Sequence, residues 1–170
     1  MEVRVRPVAD GEYERAGDVV VAAYSALPGE HMSGGYEAEL RAVEQRSKEA
    51  VVLVAEVDGV IVGAVTYVGD SSSPWGASEG MRDGEGLIRM LAVDPEAQGS
   101  GAGGALVDAC IEWARRDGKQ ALVLHTTPWM TTAHRLYERR GFTRAPERDF
   151  TPVPEVPLLA YGLVLEPRLA

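Results

Sequence analysis

The sequence predicts an α/β (α+β) protein with a mixed central sheet of about seven strands flanked by about four helices. Two β-branched runs, 51–57 and 60–67, flank Asp58-Gly59, which is the strongest short signal for an antiparallel hairpin. A third apolar run, 87–93, leads through a glycine-rich loop into a segment with helical periodicity, and another strand-like run follows. A strand, a crossover helix and a second strand predict a parallel pair. A hairpin and a crossover in one chain predict a mixed sheet.

The first fifty residues predict one strand and two helices. Valines alternate with arginines at 3–6, which is typical of a half-buried strand. Apolar residues recur at helical spacing over 11–26, until Pro28 and Gly29 interrupt the pattern. A second helix is predicted over 36–47.

The segment 69–86, which follows the predicted hairpin, is rich in glycine, serine and proline. A loop of this length inside a compact domain is either functional or mobile. Two interpretations stay open. The segment is either an insertion without a role or a lid over an acceptor site, with Trp75 as its apolar contact.

The last fifty residues predict one helix and three strands. A strand is expected at 121–125, a helix at 131–140, and final strands at 142–145 and 158–165. The proline-rich stretch 146–157 is interpreted as a loop. The complete predicted order is β-α-α-β-β-β-α-β-α-β-β.

Length and composition restrict the function. The 170 residues fit a single domain, 1–170. The net charge of −9 disfavours nucleic acid and anionic membranes as partners. It favours a cationic or amine-bearing substrate, although solubility explains the charge equally well. The absence of a long apolar run, the charged N-terminus and the single cysteine, Cys110, favour a cytoplasmic protein without a disulfide framework.

The loop at 98–104 predicts an anion site. Glycines at the start of a helix let a phosphate approach backbone N–H groups that have no partner inside the helix. A dinucleotide site would also need a carboxylate about 20 residues further on. The next strand instead ends in His125 and Thr126. The Gly-Lys-Ser/Thr of a nucleotide triphosphate loop is missing as well, so both classes lose support.

The pattern Gln98-x-x-Gly101-x-Gly103, preceded by LAVDP at 91–95, closely resembles the acyl-CoA pyrophosphate loop of the GNAT N-acetyltransferase superfamily. A second stretch, AHRLYERRGF at 133–142, resembles the second signature of that superfamily. The two motifs occur in order with a strand between them, and the predicted element order is the GNAT order across nearly the whole chain. The resemblance therefore implies the GNAT fold.

The resemblance implies acetyl-CoA as cosubstrate and no metal. The pyrophosphate would bind the amides of Gly99, Ser100, Gly101, Ala102 and Gly103, with Gln98 shaping the turn. The pantetheine arm would follow the backbone of Leu91, Ala92 and Val93.

The second motif carries further expectations for the cofactor. Ala133 is retained, whereas Met130 stands where the superfamily often has an asparagine that bonds the cofactor arm. Either that contact is lost or another group, such as Thr131 or Thr132, supplies it. Arg139 or Arg140 would contact the adenosine side, and the alternative is that Arg135 and Arg139 form a solvated basic edge.

Tyr137 matches the superfamily tyrosine that protonates the departing thiolate. A phenol stays protonated at neutral pH and is a suitable acid, although a helical tyrosine is also common in a core. Glu85 is the candidate base, with a solvated loop carboxylate as the alternative, and Asp83 and Glu30 are weaker candidates.

The other reactive side chains carry weaker expectations. His31, His125 and His134 lack metal-ligand spacing. Cys110 lies on an apolar helix stripe, where a buried thiol is expected. A covalent acyl-cysteine route is therefore disfavoured.

The expected function is acetyl transfer from acetyl-CoA to a primary amine by direct attack in a ternary complex. A non-catalytic acyl-CoA sensor is the alternative, and a nucleotide-binding oxidoreductase is a distant third. The expected partner is a small amine or a protein N-terminus or lysine, with no nucleic acid and no membrane, and a homodimer stays open. Acceptor specificity is expected in 24–36, 69–86 and 146–157.

Overall fold

The computed structural model describes residues 2–27 and 36–166. The described helices are α1 (Tyr13–Ser25), α2 (Tyr36–Arg41), α3 (Val43–Glu49), α4 (Pro74–Ser78), α5 (Ala102–Arg116) and α6 (Thr131–Arg139). The described strands are β1 (Val3–Pro7), β2 (Val51–Val57), β3 (Val60–Val68), β4 (Glu85–Val93), β5 (Ala121–Thr126), β6 (Thr143–Arg144), β7 (Phe150–Val153) and β8 (Val156–Val164). This content of helices and strands confirms the mixed α/β class.

The chain divides into two compact units. Unit 1 comprises 1–67 and 90–109, and unit 2 comprises 68–89 and 110–170. Strand β4 and helix α5 each contribute residues to both. Within the described ranges, no helix is both long and apolar enough to cross a bilayer.

In unit 1, strands β1, β2 and β3 pair antiparallel, and the β2–β3 hairpin is confirmed. Its turn residues, Asp58 and Gly59, have φ of 51° and 79°, and Val57 pairs with Val60. Positive φ at both central residues is the hallmark of a type I′ turn, whose twist matches that of the two strands. Asp and Gly tolerate this conformation, which is why the dipeptide predicted the hairpin correctly.

The predicted single helix at 36–47 is wrong: the segment forms two helices, α2 and α3. Ala42, between them, has φ −75° and ψ 50°, which is not helical. The Arg46 side chain is buried and donates hydrogen bonds to the carbonyl oxygens of Glu39 and Leu40, at the end of α2. Because Arg46 satisfies these carbonyls, α2 can end inside the core.

In unit 2, residues 85–88 of β4 pair in parallel with 121–124 of β5, which confirms the predicted crossover. β5 pairs antiparallel with β8, and β8 also pairs with β6 and β7. The stretch 146–157, predicted as a loop, therefore contains the whole of β7. Pro152 hid this strand because proline lacks the N–H that a ladder needs, and proline occurs in strands mainly at sheet edges.

The segment 69–86 is more ordered than its composition predicted, because it contains helix α4. Ser73 caps this helix by accepting a hydrogen bond from the N–H of Gly76, and Pro74 occupies the first turn. The N–H of Met81 then donates to the carbonyl of Gly76 at 2.9 Å. These contacts argue against an unstructured insertion.

Candidate functional site

The glycine loop begins where β4 ends in unit 1. The Asp94 N–H donates to the carbonyl of Val62 at 2.8 Å, which holds the end of β4 to β3. The Asp94 carboxylate accepts from the N–H of Glu96 at 3.0 Å and starts a single 3₁₀ turn, Pro95–Ala97. The hydrogen bonds of Asp94 therefore fix where the chain leaves β4 and enters the loop.

The loop presents open backbone. Gly99 and Gly101 have φ of 86° and 90°, and a Cβ at either position would meet no atom within 4 Å. Ala105 donates the first α5 bond to the carbonyl of Gly101, at 3.0 Å, so the N–H groups of Gly103 and Gly104 precede the helical ladder. Exposed glycine backbone at the positive end of a 15-residue helix fits a phosphate.

The other cofactor candidates of unit 1 surround this loop. Gln98 is exposed, and Ser100 accepts a hydrogen bond from the N–H of Ala102 at 3.3 Å. In β4, Ala92 is buried while Leu91 and Val93 are half-buried. The predicted pyrophosphate residues 99–103 are thus contiguous with the predicted pantetheine strand.

Strand β4 contains a strained residue. Met90 has φ 54°, a left-handed conformation that a residue with a bulky side chain adopts only where its surroundings impose it. Such a residue costs about 1–3 kcal/mol. Strand β4 changes from unit 2 to unit 1 at this residue.

Tyr137 lies in unit 2 on α6, whose bounds confirm the predicted helix. Its side chain is buried, with ring centroids 5.8 Å from Phe142 and 6.1 Å from Tyr161. Burial raises the pKa of the phenol, so the hydroxyl keeps its proton at neutral pH. This environment is compatible both with the predicted acid and with a core residue. On the same helix Ala133 is half-buried and Arg139 is exposed.

Met130, at the position of the missing asparagine, has a thioether in place of an amide. The Sδ atom of Met130 accepts from Oγ1 of Thr126 at 3.3 Å, while Thr131 and Thr132 are exposed. Oγ1 of the neighbouring Thr127 is buried and, in the described part of the chain, has no hydrogen-bond partner. Sequence reasoning missed Thr127 because the turn after β5 gave no signal beyond a connection.

The environment of Glu85 argues against its predicted role as a base. Both carboxylate oxygens accept from Arg148, at 2.7 and 2.9 Å, and Oε1 also accepts from the N–H of Arg82. Burial alone would raise the pKa of Glu85, but the hydrogen bonds from Arg148 and Arg82 outweigh it and lower that pKa. A carboxylate stabilised in this way is a weak proton acceptor.

The weaker candidates for the base gain no support. Asp83 is exposed and accepts from Oγ of Ser71 at 2.8 Å. Glu30 lies outside the described residues, as do His31 and most of the predicted specificity stretch 24–36.

A group of charged side chains in unit 2 was not expected from the sequence. Nδ1 of His125 lies 3.0 Å from Oε1 of Glu79, and Nε2 of His125 lies 3.3 Å from the carbonyl oxygen of Arg148. Oε2 of Glu79 lies 3.3 Å from Nε of Arg89, whose guanidinium is 5.9 Å from the Trp75 ring. No spacing in the sequence links these residues, since the fold alone brings them together.

Cys110 is buried, as predicted, and burial raises the pKa of its thiol. A covalent acyl-cysteine would need an accessible thiolate. Among residues 2–27 and 36–166, no three His, Cys, Asp or Glu side chains form a group that could hold a metal ion.

The sequence model of the Acetyltransferase (GNAT) family matches residues 20–142. This match covers most of the chain and includes both the glycine loop and Tyr137. The chain belongs to the GNAT acetyltransferase family.

Its predicted GNAT fold is also confirmed by solved structures. The protein yncA from Salmonella typhimurium, solved with its cofactor acetyl-CoA, superposes with a TM-score of 0.71 at 22% identity, covering 99% of this chain and 96% of that one.

Two relatives show how the family match extends along the chain. The uncharacterised N-acetyltransferase YhfO of Bacillus subtilis is 32% identical over 108 residues, which are 64% of this chain and 68% of YhfO. A mycothiol acetyltransferase of Nocardiopsis dassonvillei is 32% identical over 167 residues, which are 91% of this chain and 48% of that protein. The GNAT chain described here thus spans less than half the length of the mycothiol acetyltransferases that it matches.

Proposed function

We propose that this GNAT protein is an acetyl-CoA-dependent N-acetyltransferase that moves the acetyl group to a primary amine by direct attack in a ternary complex. The observation that carries the proposal is the open glycine backbone at the start of α5, in a chain that belongs to an acetyltransferase family. The acetyl-CoA bound to yncA supports the same cosubstrate here. The family match runs through both units, which supports their acting as one domain.

On the cosubstrate side, the amides of 99–103 would bind the pyrophosphate, and Gln98 would shape the turn. The backbone of 91–93 would bind the pantetheine arm. The α6 residues Ala133 and Arg139 would contact the arm and the adenosine side. We add Thr127, because its buried hydroxyl still has hydrogen-bonding capacity and can replace the amide that Met130 lacks.

The chemistry then needs three proton movements. The neutral amine attacks the thioester carbonyl, a C–N bond forms, and the C–S bond breaks. Tyr137 would donate its proton to the departing sulfur, for which a buried, protonated phenol is suitable. The attacking nitrogen then gives up its second proton, which returns Tyr137 to its protonated form. Before the attack, the ammonium must lose its first proton. Because Glu85 is paired with Arg148, we propose that this proton leaves through water and not through Glu85.

The acceptor is proposed at the level of a class. The names of the matched mycothiol acetyltransferases make an amine related to mycothiol the first choice, and a protein N-terminus or lysine stays open. The cytoplasmic location and the homodimer stay predictions.

The test is release of free thiol from acetyl-CoA with a panel of amines. Tyr137→Phe should lower kcat by about 10²–10⁴-fold if the phenol is the acid. Tyr13→Phe is a matched control, because Tyr13 lies in unit 1 and its hydroxyl bonds Asp10. An unchanged kcat in Tyr137→Phe would mean that Tyr137 is a core residue and not the acid. Binding of acetyl-CoA without thiol release for any amine would favour the sensor, and no binding would refute the proposal.

A further inference from the structure

Four residues of unit 2 tie three separate segments together, and we call them the clasp: Glu79, Glu85, His125 and Arg148. The Arg148 guanidinium bonds both oxygens of Glu85 and also donates to the carbonyl of Gly80, at 3.0 Å. The Arg148 carbonyl in turn lies against His125, and His125 lies against Glu79. The clasp therefore joins the segment 69–86 to β5 and to the 3₁₀ turn Pro146–Arg148, which precedes β7.

The clasp is largely shielded from water. The exposed fractions of the side chains are 2% for His125, 13% for Arg148, and 12% for both Glu79 and Glu85. Ion pairs at this depth are screened little, and removing one partner leaves an uncompensated buried charge. Removing any one partner is therefore expected to release the segment that it holds.

The clasp lies where two parallel strands part. The pairing of β4 with β5 ends at Ile88 and Leu124, and the next residues are Arg89 and His125. Both of these side chains contact the Glu79 carboxylate. Glu79 thus bridges the two strands at the first position where their backbones no longer pair. A gap between parallel strands is a place where a substrate can reach strand backbone.

The ring of His125 connects two members of the clasp that lie far apart in the sequence. Nδ1 of His125 lies 3.0 Å from Oε1 of Glu79, and Nε2 lies 3.3 Å from the carbonyl oxygen of Arg148. Removal of this ring would therefore break the connection between Glu79 and Arg148.

We propose that the clasp positions the acceptor amine by holding the segment 69–86 at the gap between β4 and β5. Its members are positioning residues, since none is proposed to react. This inference rests on the proposed acetyl transfer and names the structure that sets amine affinity. It also gives the segment 69–86 a fixed role beside the acceptor, in place of a freely moving lid.

The first test changes Arg148. Arg148→Lys keeps the charge but loses the two-pronged bond, and Arg148→Gln removes the charge. We expect the KM for the amine to rise about tenfold in Arg148→Lys and about a hundredfold in Arg148→Gln, because small displacements of a bound reactant are costly. The Kd of acetyl-CoA should not change. Arg116→Gln, which removes an exposed arginine of the same unit, is the control.

The outcomes separate this inference from the proposed function. Wild-type protein without thiol release for any amine refutes both. Active wild-type protein whose amine KM is the same in Arg148→Gln refutes the clasp alone, as does an equal loss of acetyl-CoA affinity in Arg148→Gln.

The second test changes His125, and it also serves if Arg148→Gln does not fold. His125→Gln removes the ring that contacts both Glu79 and the Arg148 carbonyl. We expect the KM for the amine to rise about tenfold, while the Kd of acetyl-CoA stays unchanged. An amine KM equal to that of the wild type would refute the role of His125.

Discussion

Two segments of this GNAT protein contain glycines that are required for different reasons. In the loop 98–104, Gly99 and Gly101 adopt positive φ, and a Cβ there would meet open space. In the segment 69–86, a Cβ on Gly76 would lie 2.8 Å from the carbonyl oxygens of both Asp70 and Ser71. Gly99 and Gly101 are needed for their backbone conformation, whereas Gly76 is needed for lack of room.

The surroundings of these glycines indicate whether their backbone can bind a ligand. Open space around Gly99 and Gly101 leaves backbone amides accessible to a ligand, whereas Gly76 packs closely against the turn that precedes α4. Glycine content alone predicts neither. The environment of each glycine decides whether the segment presents backbone or buries it.

The largest loss of stability in the two segments is expected from a substitution at Gly76. Gly76→Ala pushes a methyl group against two backbone oxygens that cannot rotate away, and we expect a loss of about 1–3 kcal/mol in the free energy of unfolding. Thermal or denaturant unfolding measures this loss, and the Kd of acetyl-CoA should stay unchanged. Ala77→Ser, at the exposed neighbouring position, is the control. A fully stable Gly76→Ala would mean that the turn at 70–76 adapts easily.

A smaller loss of stability is expected at Gly101. Gly101→Ala meets no steric obstacle, but an L-residue at φ 90° costs about 1–2 kcal/mol. Because the strained loop would shift its amides, we also expect the Kd of acetyl-CoA to rise about tenfold, as calorimetry can measure. Gly118→Ala is the matched control, since Gly118 has φ 72° and open space but follows the other end of α5. Equal acetyl-CoA affinities in the two variants would contradict a ligand role for the loop.

The elements that sequence predicted correctly have local causes. The β2–β3 hairpin depends on a two-residue turn, and α6 depends on the periodicity of its own residues. The elements that it missed are also local, but their sequence signals are weak. The break at Ala42 is stabilised by the buried side chain of Arg46, which the helical pattern does not reveal, and Pro152 conceals the pairing of β7 with β8.

Distance along the sequence matters more for the candidate site. The glycine loop and Tyr137 lie in contiguous motifs, so a single stretch of sequence identified each of them. The candidate base Glu85 could not be judged in this way, because its partner Arg148 is 63 positions away. The contact between Glu79 and His125 likewise joins residues 46 positions apart, and no periodicity connects them.

The type I′ turn at Asp58 and Gly59 has a consequence for how the chain folds. A two-residue connection loses little chain entropy on closing, and hairpins of this kind form within about 1–10 μs. Strands β5 and β8, by contrast, can pair only after α6 and two further strands have been accommodated between them. We expect the hairpin to be formed in the rate-limiting transition state, so that Gly59→Ala slows refolding and leaves the unfolding rate nearly unchanged in stopped-flow measurements. An effect on unfolding alone would place the nucleus elsewhere. If Gly59→Ala slows refolding instead, this two-residue turn governs the speed at which the whole chain reaches its native state.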